Sequence, residues 1–285
     1  MIKHKKSQAE LITIVLLILV AIAAVVLVST FVMKMIKGKK ELKRYYNREK
    51  IVSKYEAKRF DNTYGRLQHE IELEIINRFI SKFKNQRLLE IAVGTGRVTR
   101  NIKGIGIGID TSENMLKTAK KNAPGWKFIK MDVMNLKFKK KFDVVVSLRL
   151  LRHFNAQDRK IAYKKISCVL SDNGLLIVDM PTGKHNALLE FIDLFKKQDR
   201  IYEATMPINE MKKELNESGF DVISMYNTKY VGLLFRAMCI MNDNLGALYH
   251  FLKRRMDKRM NKLHLATNVM LIAKKNVKNK TTGER

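Results

Sequence analysis

The apolar positions of this chain change pattern twice. From Leu11 to Met33 the sequence LITIVLLILVAIAAVVLVSTFVM carries no charged side chain, and only Thr13, Ser29 and Thr30 are polar. As a helix that stretch is long enough to cross a hydrocarbon layer of about 30 Å, and it lacks the polar face of a globular helix. A cleaved secretory signal is the rival reading, because Ala21-Ile22-Ala23 resembles a small-residue cleavage site. Yet the apolar run continues to Met33, beyond the roughly 7 to 15 residues of a signal core. A retained transmembrane helix at 11–33, after a short tail at 1–10, is expected.

Residues 34–63 are dense in Lys, Arg, Tyr and Glu and read as a basic juxtamembrane helix. Leu67 to Phe83 places Leu67, Ile71, Ile75, Ile76, Phe79 and Ile80 near helical period. Beyond it the pattern switches to short runs rich in β-branched residues: Leu88 to Val93, Ile105 to Ile109, Trp126 to Met131, Phe142 to Ser147 and Leu175 to Met180. Strands buried on both faces read as continuous apolar runs, and strands separated by helix-length stretches must lie parallel. Two more strands, Phe220 to Tyr226 and Asn268 to Lys274, follow a helix at Asn209 to Ser218. The pattern predicts a doubly wound, mostly parallel seven-stranded α/β sheet over 64–275, with an insert at 227–267 and a basic tail at 276–285.

Inside that insert, Val231 to Met241 is nearly all apolar, and Ala247 to Lys262 sets Leu248, Phe251, Leu252, Met256 and Met260 near one helical face flanked by Lys and Arg. That suits either a helix in the headgroup layer or a lid packed on the domain.

Charge extends the membrane reading. The 285 residues hold 56 Lys plus Arg against 27 Asp plus Glu, a formal net charge of +29. Basic residues crowd the C-terminal flank of the apolar segment, from Lys34 to Lys50, so the positive-inside rule puts the N-terminus outside and the larger part of the chain in the cytoplasm. The excess fits an anionic lipid bilayer, or nucleic acid bound through its phosphates, or is compositional and keeps the protein soluble. The anchor favours lipid. Two cysteines, Cys168 and Cys239, exclude a disulfide scaffold and leave no zinc-type spacing, so no metal is expected.

In doubly wound sheets the ligand lies beyond the carboxyl ends of the strands. After the first strand come Glu90, Gly94, Thr95 and Gly96, a turn that lets backbone approach a ligand. A dinucleotide fingerprint wants a third glycine where Thr99 stands. The second strand ends in Asp110, suited to ribose hydroxyls, and the third in Asp132, suited to an exocyclic amine or else to capping a turn. Gly104, Gly106 and Gly108 lead into a strand and read as close-packing residues and not as a phosphate loop.

In order, these motifs resemble the class I S-adenosylmethionine-dependent methyltransferases, particularly the small-molecule and quinone-biosynthesis branch. Tyr55, Arg59, Phe60 and Gly65 resemble the pre-motif, LEIAVGTGR the first motif, and GIDTSENMLKTAK the ribose motif. MDVMNLKFKKKFDVVVSLRLLRHF and LSDNGLLIVDMP resemble the later ones. Ala92, Lys137 and Asp172-Asn173-Gly174 depart from the family pattern without removing a polar contact.

The resemblance implies S-adenosylmethionine as cofactor. Glu90 would orient the glycine loop and the methionyl ammonium, and Gly94, Thr95 and Gly96 would line the methionyl end. Asp110 would take the ribose, Met115 the adenine face, and Asp132 with the backbone of Val133 the adenine edge. Ser147 lies where the methyl points, and His153 is the nearest general base, unless it is a packed helix-start residue. Arg149 and Arg152 would either hold an anionic acceptor or lie in solvent. The expectation is a membrane-anchored methyltransferase acting on a lipid, isoprenoid or quinone-like molecule, or another membrane-associated small molecule. An RNA methyltransferase and a catalytically inactive tethered scaffold are the alternatives.

Overall fold

The computed structural model describes residues 63–182, 204–230 and 266–276, together with 41, 43–49, 51–53 and 55. The expected anchor at 11–33, the 231–265 part of the insert, the 277–285 tail, Arg59 and Phe60 lie outside the described residues. Among the described residues no helix is long and apolar enough to cross a membrane. The chain forms two compact units, Met1–Tyr45 and Tyr46–Arg285.

The second unit is built on strands β1 (Leu88–Ile91), β2 (Gly106–Asp110), β3 (Lys127–Lys130), β4 (Phe142–Ser147), β5 (Leu170–Pro181), β6 (Phe220–Tyr230) and β7 (Ala266–Lys275). Their order is β3-β2-β1-β4-β5-β7-β6, parallel from β3 through β5, with β7 antiparallel to both β5 and β6. That is the predicted mostly parallel seven-stranded sheet. The strand order reverses between β1 and β4, and the crevice at such a reversal is where these sheets bind ligands.

Side-chain alternation divides the core into two layers. On one face Leu88, Val144, Val146, Leu175 and Ile177 pack against Leu67, Ile76, Phe79 and Ile80 of helix α1 (Thr63–Ile80). On the other, Leu89, Ile91, Val145, Leu176 and Val178 meet Ala162, Tyr163 and Ile166 of α3 (Ala156–Val169) and Met211 and Leu215 of α4 (Ile208–Glu217). Each such side chain, fully buried, stabilises the fold by roughly 1.5–3 kcal/mol. Helix α2 (Glu113–Asn122) closes the β3 side through Leu116 and Ala119, which pack on Val93. Its N-cap, Ser112, accepts from the Met115 amide at 3.2 Å, and Asn155 caps α3 by accepting from Asp158 at 2.9 Å.

Residues 34–63 were expected to form one helix, but in the described part residues 41, 43–46, 49, 51–53 and 55 are helical and Asn47 and Arg48 are not. Asn47 instead turns its polar groups to the start of α2, as the site geometry below shows.

The glycines of β2 are held by close packing, as their position before a strand suggests. A Cβ on Gly106 would fall 2.4 Å from the Leu88 carbonyl oxygen, and one on Gly108 2.8 Å from the Phe128 ring and Val93. Leu88 and Gly106 are cross-strand partners, so an added carbon at that position drives β1 and β2 apart at their first rung. Gly106→Ala is therefore expected to destabilise the full chain by about 1–3 kcal/mol in thermal unfolding. Gly125→Ala, where the new carbon meets only Ile105 Cδ1 at 4.0 Å, should stay within about 0.5 kcal/mol. Equal melting temperatures for the two variants would show that β2 shifts to accept the carbon.

Candidate functional site

β1 ends at Ile91, and the backbone then turns through left-handed conformations at Ala92 (φ 59°), Gly94 (φ 56°) and Gly96 (φ 77°). Only Ala92 carries a side chain there, at a cost of roughly 1–2 kcal/mol. A carbon added to Gly96 would lie 3.0 Å from the Ala119 backbone, so this part of the loop rests directly on α2. A carbon added to Gly94 would meet nothing within 4 Å, so the loop presents an open face there. Thr95 is buried, and its carbonyl accepts from Asn122 Nδ2 at 2.8 Å.

Asp110 joins this loop to the next. Its Oδ2 accepts from the Gly94 amide and its Oδ1 from the Ser112 amide, both at 2.9 Å. Burial pushes its carboxyl above the ordinary value, and the Ser112 and Gly94 amides pull the other way. Ser112 Oγ in turn donates to the Tyr46 carbonyl at 3.0 Å or to Asn47 Oδ1 at 3.1 Å, and Asn114 Nδ2 donates to the Asn47 carbonyl at 2.7 Å. The Tyr46 ring stands 6.1 Å from Tyr55 and 6.3 Å from His153. A strap beginning at Tyr46 thus runs from the β2 loop to the turn Leu151–His153 that follows β4. Sequence reasoning gave this strap no role. Its signal, Tyr46-Asn47 ahead of the family-like pre-motif at Tyr55, is too short to stand out.

Met115 is buried at the first turn of α2. Asp132 caps the turn Val133–Asn135, its Oδ1 accepting from Met134 at 3.0 Å, and Val133 is buried beneath it. Ser147, at the last position of β4, is 1% exposed, and its Oγ has no hydrogen-bond partner.

Between these residues lies a buried ionic network that the sequence did not reveal. Glu72 of α1, fully buried, receives Arg149 through both carboxylate oxygens and faces Arg97 at 3.5 Å. Asp179 of β5 accepts from the Arg149 amide and from Arg152 Nη2. Arg152 Nη2 also donates to Asn268 Oδ1 at 3.0 Å, and Asn268 Nδ2 to Thr228 at 2.8 Å. Arg149 and Arg152, expected to hold an anionic acceptor or to lie in solvent, do neither, since their side chains are 14% and 13% exposed and engaged by protein carboxylates. A guanidinium buried this deeply costs several kcal/mol unless a carboxylate pairs it. Burial works against the charged form of Arg149, but Glu72 and Asp179 outweigh it and raise its pKa. His69 of α1, half-buried beside Arg97, Arg149 and Arg100, is lowered to about 3, first by burial and then by those cations, and stays neutral.

Glu90 lies at the edge of this network. It is buried, its Oε2 accepts from Thr99 Oγ1 at 2.6 Å, and its carboxyl is pushed up to about 7. Desolvation is the main cause, and Thr99, Arg97 and Arg149 oppose it.

Comparison with known proteins gives this geometry its context. Residues 88–174 match the family described as methyltransferase domain. An uncharacterized methyltransferase of Alkaliphilus oremlandii is 26% identical over 172 residues, 58% of this chain and 78% of that protein. A ubiquinone biosynthesis O-methyltransferase of Pelagibacter ubique is 34% identical over 103 residues, 33% of this chain and 42% of that protein. Among solved structures, magnesium protoporphyrin IX methyltransferase from Synechocystis PCC 6803 with bound SAH superposes with a TM-score of 0.59 at 14% identity. It covers 84% of this chain and 100% of that one, a likeness of fold. The chain is an S-adenosylmethionine-dependent methyltransferase with the class I fold, and S-adenosylmethionine is its cofactor.

Two outcomes follow from the buried charges. Glu72→Gln leaves Arg97 and Arg149 around a neutral amide and is expected to cost about 3–5 kcal/mol. Glu113→Gln, which removes the exposed 2.7 Å pair with Lys130, should leave the melting temperature essentially unchanged. Thermal unfolding of the two variants checks the contrast. For Glu90, the folded state holds the proton more tightly than the unfolded chain between the ordinary value of 4.5 and about 7. Its contribution to stability is complete below that window and lost as pH rises through it. Glu90→Gln abolishes the loss, so its stability relative to the native chain should improve by about 2–3 kcal/mol from pH 4 to pH 8. A difference independent of pH would mean that Glu90 titrates normally.

Proposed function

We propose that this methyltransferase is tethered to a membrane by residues 11–33 and transfers a methyl group to a lipid, an isoprenoid or quinone-like molecule, or another membrane-associated small molecule. One observation carries the acceptor class. The strap at Tyr46 and Asn47 is fixed to Ser112 and Asn114 on one side and reaches His153 on the other. Only residues 34–45 separate that strap from the apolar segment in sequence. A tether so close in sequence to the strap suits an acceptor that stays in or on the bilayer.

The residues present fit the cofactor. Open space faces Gly94, the buried Glu90 and the half-buried Asp110 lie near the ends of neighbouring strands, and the unpartnered Ser147 hydroxyl stands at the end of the strand between them and β5. Bound there, S-adenosylmethionine supplies a methyl group already activated by its sulfonium charge. Glu90, Gly94, Thr95 and Gly96 would hold the methionyl end, and the ionised Glu90 would neutralise its ammonium. Asp110, preorganised by two backbone amides, would accept from the ribose hydroxyls. Met115 would pack on the adenine, with Asp132 and the Val133 amide at its edge.

The protein's remaining work is alignment and exclusion of water. Ser147 would lie beside the path of transfer. His153, under the Tyr46 ring, would take the proton of an acceptor that enters protonated. The strap would cover the cleft while the acceptor is held.

Calorimetry of the full chain with S-adenosylmethionine should show binding that Asp110→Asn weakens by about tenfold to a hundredfold. Incubation with methyl-labelled cofactor should then place label in the membrane-lipid fraction. Label in RNA alone would replace the lipid reading with nucleic-acid methylation, and absence of cofactor binding would favour a tethered scaffold.

A further inference from the structure

The sheet has an unusual edge. Between Asn114 and Phe142 the sequence holds nine lysines and a single acidic residue, Asp132, which is half-buried and caps a turn. All nine are exposed, Lys117, Lys120 and Lys121 on α2, Lys127 and Lys130 on the adjoining β3, and the others between residues 137 and 141, whose neighbours Leu136 and Phe142 join the opposite core layer. β3 is an edge strand with no neighbour on its outer side in the sheet order. Lys130 is paired with exposed Glu113 at 2.7 Å, and Lys141 Nζ donates to the Cys168 carbonyl.

Lysine on an edge strand has an ordinary use, which is to block pairing with a second sheet. Two residues on β3 suffice for that. It does not account for the lysines of α2 or for those before β4. Nor does a site built for one phosphate, which draws on arginine forks or converging backbone amides. A broad field of flexible point charges, all exposed, matches a diffuse anionic surface.

We infer that the β3 edge, with the exposed face of α2, rests on an anionic lipid headgroup layer. Lipid is favoured over nucleic acid by two observations. Nucleic-acid surfaces interleave basic residues with exposed aromatic side chains, whereas Trp126 is buried with its Nε1 donating to the Gly104 carbonyl, and Phe128 is partly buried against Val93 and its neighbours. The face also adjoins the strap, because Asn114, at the start of α2, is the residue that binds the Asn47 carbonyl. The choice of lipid rests on the proposed tether at 11–33, and the interaction itself rests only on the lysine field.

Trp126 makes the inference measurable, since it is the only tryptophan in the chain and directly precedes β3. Full-length protein would be reconstituted into phosphatidylcholine vesicles, with or without about one-quarter phosphatidylglycerol, each carrying a dansyl headgroup lipid. Energy transfer from Trp126 to dansyl should be at least about twofold greater in the anionic vesicles and should fall to the neutral level in high salt. Replacing Lys117, Lys120, Lys121, Lys127 and Lys130 with Gln should abolish the increment while the cofactor still binds. Replacing Lys164, Lys165, Lys212 and Lys213, exposed on α3 and α4, should leave it unchanged.

Equal transfer in neutral and anionic vesicles, or an increment that survives the five substitutions, would overturn the inference. So would salt-sensitive RNA binding lost in the same variant without any effect of anionic lipid. The tether is read separately: flotation with neutral vesicles after a high-salt wash depends on residues 11–33 and not on the lysines, so either reading can fail while the other stands.

Discussion

The Asp110 carboxylate is the point from which the rest of the cleft is positioned. It accepts one amide from the glycine loop and one from the turn before α2, each at 2.9 Å. It joins the loop after β1 to the loop after β2 side chain to backbone, beside the Val93 amide that donates to the Ile109 carbonyl and the Asn122 amide that holds the Thr95 carbonyl. Ser112 carries the constraint outward, capping α2 with the same hydroxyl that meets the strap. Three segments far apart in sequence are thereby referred to one carboxylate. Both of its oxygens are engaged through backbone amides, and each oxygen has a second lone pair to offer.

The ionic network sets the other wall. Glu72 from α1, Arg97 from the glycine loop, Arg149 and Arg152 after β4, and Asp179 from β5 neutralise one another where water is excluded. Arg149 adopts φ 59°, a left-handed conformation that bulky residues avoid. Its amide and its guanidinium are held by different carboxylates, Asp179 and Glu72, and that double hold offsets the strain. Such a network is a costly way to gain stability, but it is specific, since a shift of α1 by one turn would leave charges uncompensated. Glu90, next to it, is pushed up to about 7 by desolvation, against the opposing pull of Thr99, Arg97 and Arg149.

Legibility in the sequence followed from how local each signal was. The strands were readable because both faces are buried, as β1 and β4 illustrate: β4 has the expected bounds and β1 ends two residues early, whereas β5 begins five residues earlier and β6 ends four later than the pattern suggests. Gly106 and Gly108 were correctly taken as packing residues because they lead into a strand. That the loop of Gly94 to Gly96 meets Asp110 was legible because a parallel sheet fixes where its loops converge. Asp132 was left between a turn cap and a ligand group, and the turn cap is visible in its bond to Met134. Arg149 and Arg152 were misread because their partners, Glu72 and Asp179, lie 77 and 27 residues away. No spacing rule connects α1 to the turn after β4. The strap escaped for the same reason: Asn47 and Asn114 look like ordinary polar surface residues until the fold joins them.

The strap is tied to the domain at several points. Ser112 Oγ donates to the Tyr46 carbonyl or to Asn47 Oδ1, Asn114 Nδ2 donates to the Asn47 carbonyl, and the Tyr46 ring stands near both Tyr55 and His153. Ser112 is also one hydrogen bond from Asp110, whose other oxygen holds the Gly94 amide. The strap, the turn before α2 and the glycine loop therefore share one chain of hydrogen bonds, and a change in the order of any of them is felt by the other two through Ser112 and Asp110.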